Sequence, residues 1–182
     1  MLKKMALLFL VLLTVFFLWA QNIPADFEFE IVEGRSVTIT GYNGNATVLN
    51  IPAQIQGLPV TTIANYAFAY KRSLISINIP FSVTSIDTNP FFVCDNLINI
   101  TVDNQNPSFA SIDGVLFDKN IRILVRYPPA KAAENYTLPS SVISVGFGAF
   151  GGCISLASVT LSRRTAVAYG ALPETARIIY SD

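Results

Sequence analysis

The chain has 182 residues, 52% of them hydrophobic and 13% charged, with 12 basic and 12 acidic side chains and no histidine. That is enough apolar material for one domain with a true core, and the even charge leaves no electrostatic footprint for nucleic acid. The lack of histidine removes Ser–His–Asp and Cys–His nucleophilic sites and histidine metal clusters.

Lys3 and Lys4 precede an uncharged run from Met5 to Ala20. The run is about 16 residues, short of the ~20 that span a bilayer, with a basic start and a small residue at its end. Residues 1–20 therefore read as a signal peptide cut after Ala20, with no membrane insertion afterwards. An uncleaved anchor is the alternative, because Leu18 is large for its place three residues before the cut. No cysteine lies beside the cut, which speaks against a lipid anchor. Removing Lys3 and Lys4 leaves 12−2 basic against 12 acidic side chains, a net charge of −2.

Residues 21–45 read as an N-terminal cap. Phe27 to Ile31 alternates apolar and polar residues, Glu33-Gly34 turns, and Val37 to Ile39 alternates again, the pattern of a β-hairpin. From residue 46 to 162 the chain repeats itself. Ile63, Phe68 and Leu74 return 23 residues later (86−63) as Ile86, Phe91 and Leu97, and again as Val145, Phe150 and Leu156. A fixed period of this size predicts a solenoid, in which each coil buries its apolar side against its neighbours.

Aligning Ile51, Ile79, Val102, Leu138 and Leu161 places Leu49, Ile77, Ile100, Tyr136 and Val159 two residues earlier. Alternation along a strand sends both columns inward. The residues that alternate with them (Ser76, Asn78, Asn99, Thr101, Thr137, Ser158 and Thr160 among them) form an outward sheet face of uncharged polar side chains. Pro52, Pro80 and Pro139 end the strands by withholding an N–H. Short second strands follow at Val60–Ile63, Val83–Ile86 and Val142–Val145, then helical turns at Tyr66–Phe68 and Ala149–Phe150 that drop a Phe into the core. Cys94 and Cys153 hold the same place in two coils. About two rungs of ~4.8 Å separate their strands, beyond the ~7 Å Cα limit for a disulfide, so two buried thiols are expected.

A longer unit over 103–135 interrupts the period. Asp113 to Phe117, Asp118 to Asn120 and Ile121 to Tyr127 read as strand, turn and strand, ended by Pro128-Pro129. After Leu161 the repeat fades through Arg163-Arg164, and Arg177 to Tyr180 supplies a last strand in a C-terminal cap over 163–182.

The pattern Leu-x-x-Ile-x-Ile-Pro-x-Ser-Val-x-x-Ile, then Ala-Phe-x-x-Cys, resembles the BspA-like leucine-rich repeats of bacterial surface proteins. It runs from Leu74 to Cys94 and, in variant form, from Tyr136 to Cys153. Asp113-Gly-Val-Leu-Phe117 with Tyr127-Pro128 is similar to that family's long coil. Pro90, Asp87 and Lys71 (at the Cys place) depart from the pattern. The resemblance implies a mainly β leucine-rich-repeat solenoid of about five coils with short helical turns and a hairpin cap. It also implies export to the periplasm, the cell surface or the medium, and adhesion to a protein or glycan.

Catalytic chemistry is not expected. The acids Asp87, Asp95, Asp103, Asp113 and Asp118 fall at turns, where Asp bonds locally to backbone, and no Gly-rich phosphate loop or metal spacing is present. No cofactor is expected. The leading reading is an exported, non-enzymatic module that binds an extracellular or envelope protein or a glycan through the polar sheet face. The alternative is a structural component of the cell envelope. Oligomeric state is left open.

Overall fold

The computed structural model describes residues 24–181, so the expected signal peptide lies outside the described residues. A 3-10 turn, Pro24–Asp26, leads into β1 (Phe27–Val32) and β2 (Ser36–Tyr42). These pair antiparallel through a Glu33-Gly34 turn with φ of 51° and 65°, and a bulge falls between Glu28 and Phe29. The strands that follow are β3 (Val48–Asn50), β4 (Gln54–Ile55), β5 (Leu58–Ile63), β6 (Ser76–Ile79) and β7 (Ser85–Ile86). Next come β8 (Asn99–Val102), β9 (Phe109–Ile112), β10 (Val115–Asp118), β11 (Ile123–Arg126), β12 (Asn135–Thr137) and β13 (Ser144–Val145). The chain closes with β14 (Ser158–Ser162), β15 (Ala166–Val167) and β16 (Arg177–Ser181).

The strands wind into a β-solenoid with two strand faces. On the first face β3, β6 and β8 stack in parallel, with Leu49, Ile77 and Ile100 in register. β12, β14 and β16 form a second stack, with Tyr136, Val159 and Ile178 in register. On the other face the hairpin docks through β2 onto β5, which pairs with β7, while β11, β13 and β15 stack further along. The inward columns are those expected from alternation: Leu49, Ile77, Ile79, Ile100, Val159 and Leu161 are buried.

Two expectations need adjustment. The segments at Tyr66–Phe68 and Ala149–Phe150 are successive hydrogen-bonded turns that do not become helices, closed by bonds such as Ala69 N to Tyr66 O at 2.9 Å and Gly151 N to Gly148 O at 2.9 Å. Left-handed backbone at Tyr66 and Gly148 stops helix propagation there. The first face carries six strands ending in β16, in keeping with about five coils and the terminal strand expected at Arg177 to Tyr180: the repeat fades in sequence while the coil continues. In the long unit the hairpin is a three-stranded meander, because β9 pairs with β10 across an Asp113-Gly114 turn.

The core aromatics Phe68 and Phe91 stack at 5.7 Å between centroids, and Tyr127 and Phe150 at 5.2 Å, each continuing one column. Both cysteines are free and buried. Their thiols occupy equivalent niches, Cys94 Sγ donating to Phe68 O at 3.0 Å and Cys153 Sγ to Tyr127 O at 3.8 Å. Burial raises their pKa to about 11 and about 12 respectively.

Candidate functional site

The polar rows lie on the first face, and the long unit divides them. Ser76, Asn78, Asn99 and Thr101 stand on β6 and β8; Thr137, Ser158 and Thr160 stand on β12 and β14, which belong to a separate sheet. No single seven-residue face unites them. Within each sheet the side chains bond along the stack. Asn78 donates to Asn50, Thr101 donates to Asn78, Asn99 Nδ2 donates to Ser76 Oγ at 3.2 Å, and Ser158 Oγ donates to Asn135 Oδ1 at 2.6 Å. These are cross-strand polar ladders, which stabilise a sheet whatever else they do. Asn78 and Thr101 also line an open trough of about 370 Å³ with Pro80 and Asp103.

A second surface, at the turns after β5 and β7, was not singled out from the sequence. Tyr66, Tyr70 and Phe92 are exposed by 52%, 66% and 40%. They nevertheless touch: Phe92 meets Tyr66 at 5.5 Å and Tyr70 at 5.7 Å between centroids, both edge to face. The backbone beneath them is left-handed at Tyr66 (φ 61°), Tyr70 (φ 63°) and Val93 (φ 55°). In a later coil the equivalent places carry Gly148 (φ 62°) and Gly152 (φ 79°). Glycine takes this conformation freely, whereas an L side chain costs roughly 1–2 kcal/mol there. The signal was present in the sequence, since aligning the Phe columns sets Tyr66 against Gly148 and Tyr70 against Gly152.

Lys71, at the Cys place of its coil, reaches over the Tyr42 ring at 5.7 Å, and Arg72 pairs with Asp95 at 3.4 Å. Among the described residues no group of three or more His, Cys, Asp or Glu could hold a metal ion.

The repeat geometry agrees with a family model, the BspA type leucine rich repeat region, which matches residues 42–124 and 130–171 in six copies. The chain belongs to the BspA type leucine-rich repeat family. A leucine-rich repeat protein from Eubacterium ventriosum is similar in structure, with a TM-score of 0.60 and 31% identity over 71% of this chain and 37% of that one. The pneumococcal vaccine antigen PcpA is 16% identical with a TM-score of 0.49, covering 79% of this chain and 63% of that one. A leucine rich cell surface protein from Faecalibacterium prausnitzii is 18% identical with a TM-score of 0.48, over 88% and 76%. The BspA-type chain thus spans only 37% and 63% of the first two relatives. No curated protein matches the sequence. BspA-type repeats are typically interaction domains rather than enzymes, and no helix among the described residues is long and apolar enough to cross a membrane.

Proposed function

We propose that this BspA-type protein is an exported protein-binding module of the bacterial surface, and that the aromatic ridge of Tyr66, Tyr70 and Phe92 is its contact surface. The supporting observation is the backbone under that ridge. Two tyrosines occupy left-handed positions that glycine fills elsewhere in the same solenoid, and their rings remain exposed. Strain of that kind returns little stability, and it clusters where a side chain must be presented. Tyrosine is also one of the residue types enriched among the anchors of protein interfaces. Adhesion is the expected outcome of such binding at a cell surface. A glycan on the polar rows is the second reading, favoured by the trough beside Asn78 and Thr101. An envelope-assembly role would use the same ridge on a neighbouring envelope protein.

The test is capture of partners from extracellular-matrix and envelope extracts by residues 21–182. Tyr66→Gly with Tyr70→Gly relieves the strain and so keeps the fold; it should lower capture at least tenfold without lowering the melting temperature. Asn78→Glu with Thr101→Lys should leave capture intact. The reverse pattern would move the site to the polar rows, with binding only weakly dependent on salt.

A further inference from the structure

The row of turns that carries the ridge is interrupted by the long unit. Ile63 to Phe68 and Val145 to Phe150 each take five steps from strand to core aromatic (68−63, 150−145). Leu124 pairs with Val145, and Tyr127 stacks on Phe150, yet these two are only three steps apart (127−124). Two residues are missing from the turn, and a cleft of about 250 Å³ opens there, lined by Phe92, Asp95, Arg126, Phe147 and Gly151 among others. Glycine widens one wall. Gly151 holds the place that Phe92 holds in its own coil, and a Cβ on Gly151 would stand 3.1 Å from Arg126 Nη1.

Arg126 is only 8% exposed. Nη1 donates to Gly148 O at 2.6 Å, Nη2 to Phe91 O at 3.5 Å, and Nε has no partner. Among the described residues no carboxylate lies within 4.0 Å of the guanidinium; Asp95, at the rim, pairs with Arg72 instead. Burial lowers the Arg126 pKa from its ordinary value, a sign of how poorly the charge is compensated. The bland account is a staple that ties together two carbonyls left without partners by the shortened turn. It uses two of five N–H donors and gives no reason for a permanent charge. A buried cation is costly unless an anion completes it.

We infer that this cleft binds a carboxylate carried on an apolar body, with the guanidinium taking the carboxylate and the Phe92 and Phe147 rings flanking the body. Arginine's planar fork suits the two oxygens of a carboxylate. The Asp95 carboxylate at the rim disfavours a doubly charged phosphate. The carboxylate could be the end of a polypeptide or an acidic side chain, which the test separates. This site shares Phe92 with the ridge but does not rest on the ridge reading, because it can be titrated without any partner.

The experiment is an amide NMR titration of residues 21–182, followed at Gly148, Gly151 and Gly152. N-acetylphenylalanine, with a free terminal carboxylate, should produce saturable shifts that weaken with added salt. N-acetylphenylalaninamide should bind at least tenfold more weakly, and inorganic phosphate should not saturate. N-acetylglutamate α-benzylamide, a side-chain carboxylate on a body that keeps one ring, shows whether a side-chain carboxylate suffices: binding as tight as N-acetylphenylalanine assigns an acidic side chain, and weaker binding assigns a chain terminus. Arg126→Lys should weaken the first probe at least tenfold. Phe92→Ser with Phe147→Ser should do the same from exposed positions, which decides the matter if the arginine variant does not fold. Equal binding of acid and amide, or no saturable shift with any carboxylate, would overturn the inference and leave Arg126 a staple. Tyr66→Gly with Tyr70→Gly removes the rings that Phe92 packs on but should keep the preference for acid over amide, so failure of the ridge and failure of the cleft are told apart.

Discussion

Single side chains in this solenoid substitute for backbone that the repeat would otherwise supply. Asn106 is fully buried; its Nδ2 donates to Pro80 O and Val83 O, both at 2.8 Å, and its Oδ1 accepts from Ser108 N and Phe109 N at 2.9 and 2.8 Å. Every donor and acceptor of its amide is used, the condition for a polar group to be tolerated in a core. The two thiols do the same on a smaller scale, and they make a pH prediction. Their pKa is raised in the folded state by burial, from the usual 9.0 to about 11 for Cys94 and about 12 for Cys153. The unfolded chain therefore releases these protons first. The thiols' contribution is intact below about pH 8.5 and is lost as pH rises through the folded values, by roughly 2 kcal/mol per thiol at pH 10.5. Urea midpoints should fall between pH 8 and 10.5, and Cys94→Ala with Cys153→Ala should flatten that part of the profile. An unchanged slope in the double variant would contradict the burial argument.

Among the elements, the meander β9–β10–β11 sets the shape of everything around it. Its Asp113-Gly114 turn has φ of 49° and 77°, and the Gly114 carbonyl accepts from Ile100 N at 2.9 Å. A Cβ on Gly114 would collide with the Asn99 side chain and lie 3.3 Å from Asn99 Cα, whereas Gly57, with φ 78°, has nothing within 4 Å. Gly57→Ala should cost about 1 kcal/mol from backbone strain alone, and Gly114→Ala about 2–3 kcal/mol because overpacking adds to strain. Equal losses in thermal or urea unfolding would show that the meander gives way freely.

The strand columns were legible because an inward residue every second position, repeated every 23 (86−63), admits one phasing. β9 is obscure in the sequence although Asp-Gly is a strong hairpin signal, since Phe109 to Ile112 does not alternate cleanly. The ridge is not legible in residue types, because backbone strain has no single-residue signature; it emerges only from the place that Tyr66 and Gly148 share. The shortened turn before Tyr127 is hidden in the sequence because Tyr127 continues the Phe column with a different residue type. How the polar rows divide follows from the meander, and no local pattern in Ser76 or Thr137 carries it.

On the scale of the molecule, the core is two clusters that meet at β10. Val115 and Phe117 pack into the C-terminal cluster, while Leu116 between them packs into the N-terminal one. In a solenoid, stability is close to a sum of coil and interface terms, so the two halves should open separately. Phe150→Ala removes a fully packed ring and should cost about 3–5 kcal/mol. Hydrogen exchange should then accelerate in β12, β14 and β16 while β3, β6 and β8 keep their protection. Phe68→Ala should give the mirror image. Uniform loss of protection in either variant would mean one cooperative unit.

The long unit also answers a problem that any strictly repeating surface faces. A ligand that fits one coil fits the next after a shift of one strand spacing, ~4.8 Å, so a regular stack offers several equal addresses and no preferred one. Shortening one turn by two residues and inserting a meander destroys that translational degeneracy. The surface acquires an origin from which every other coil can be told apart, and a partner that recognises the origin can bind in one position only.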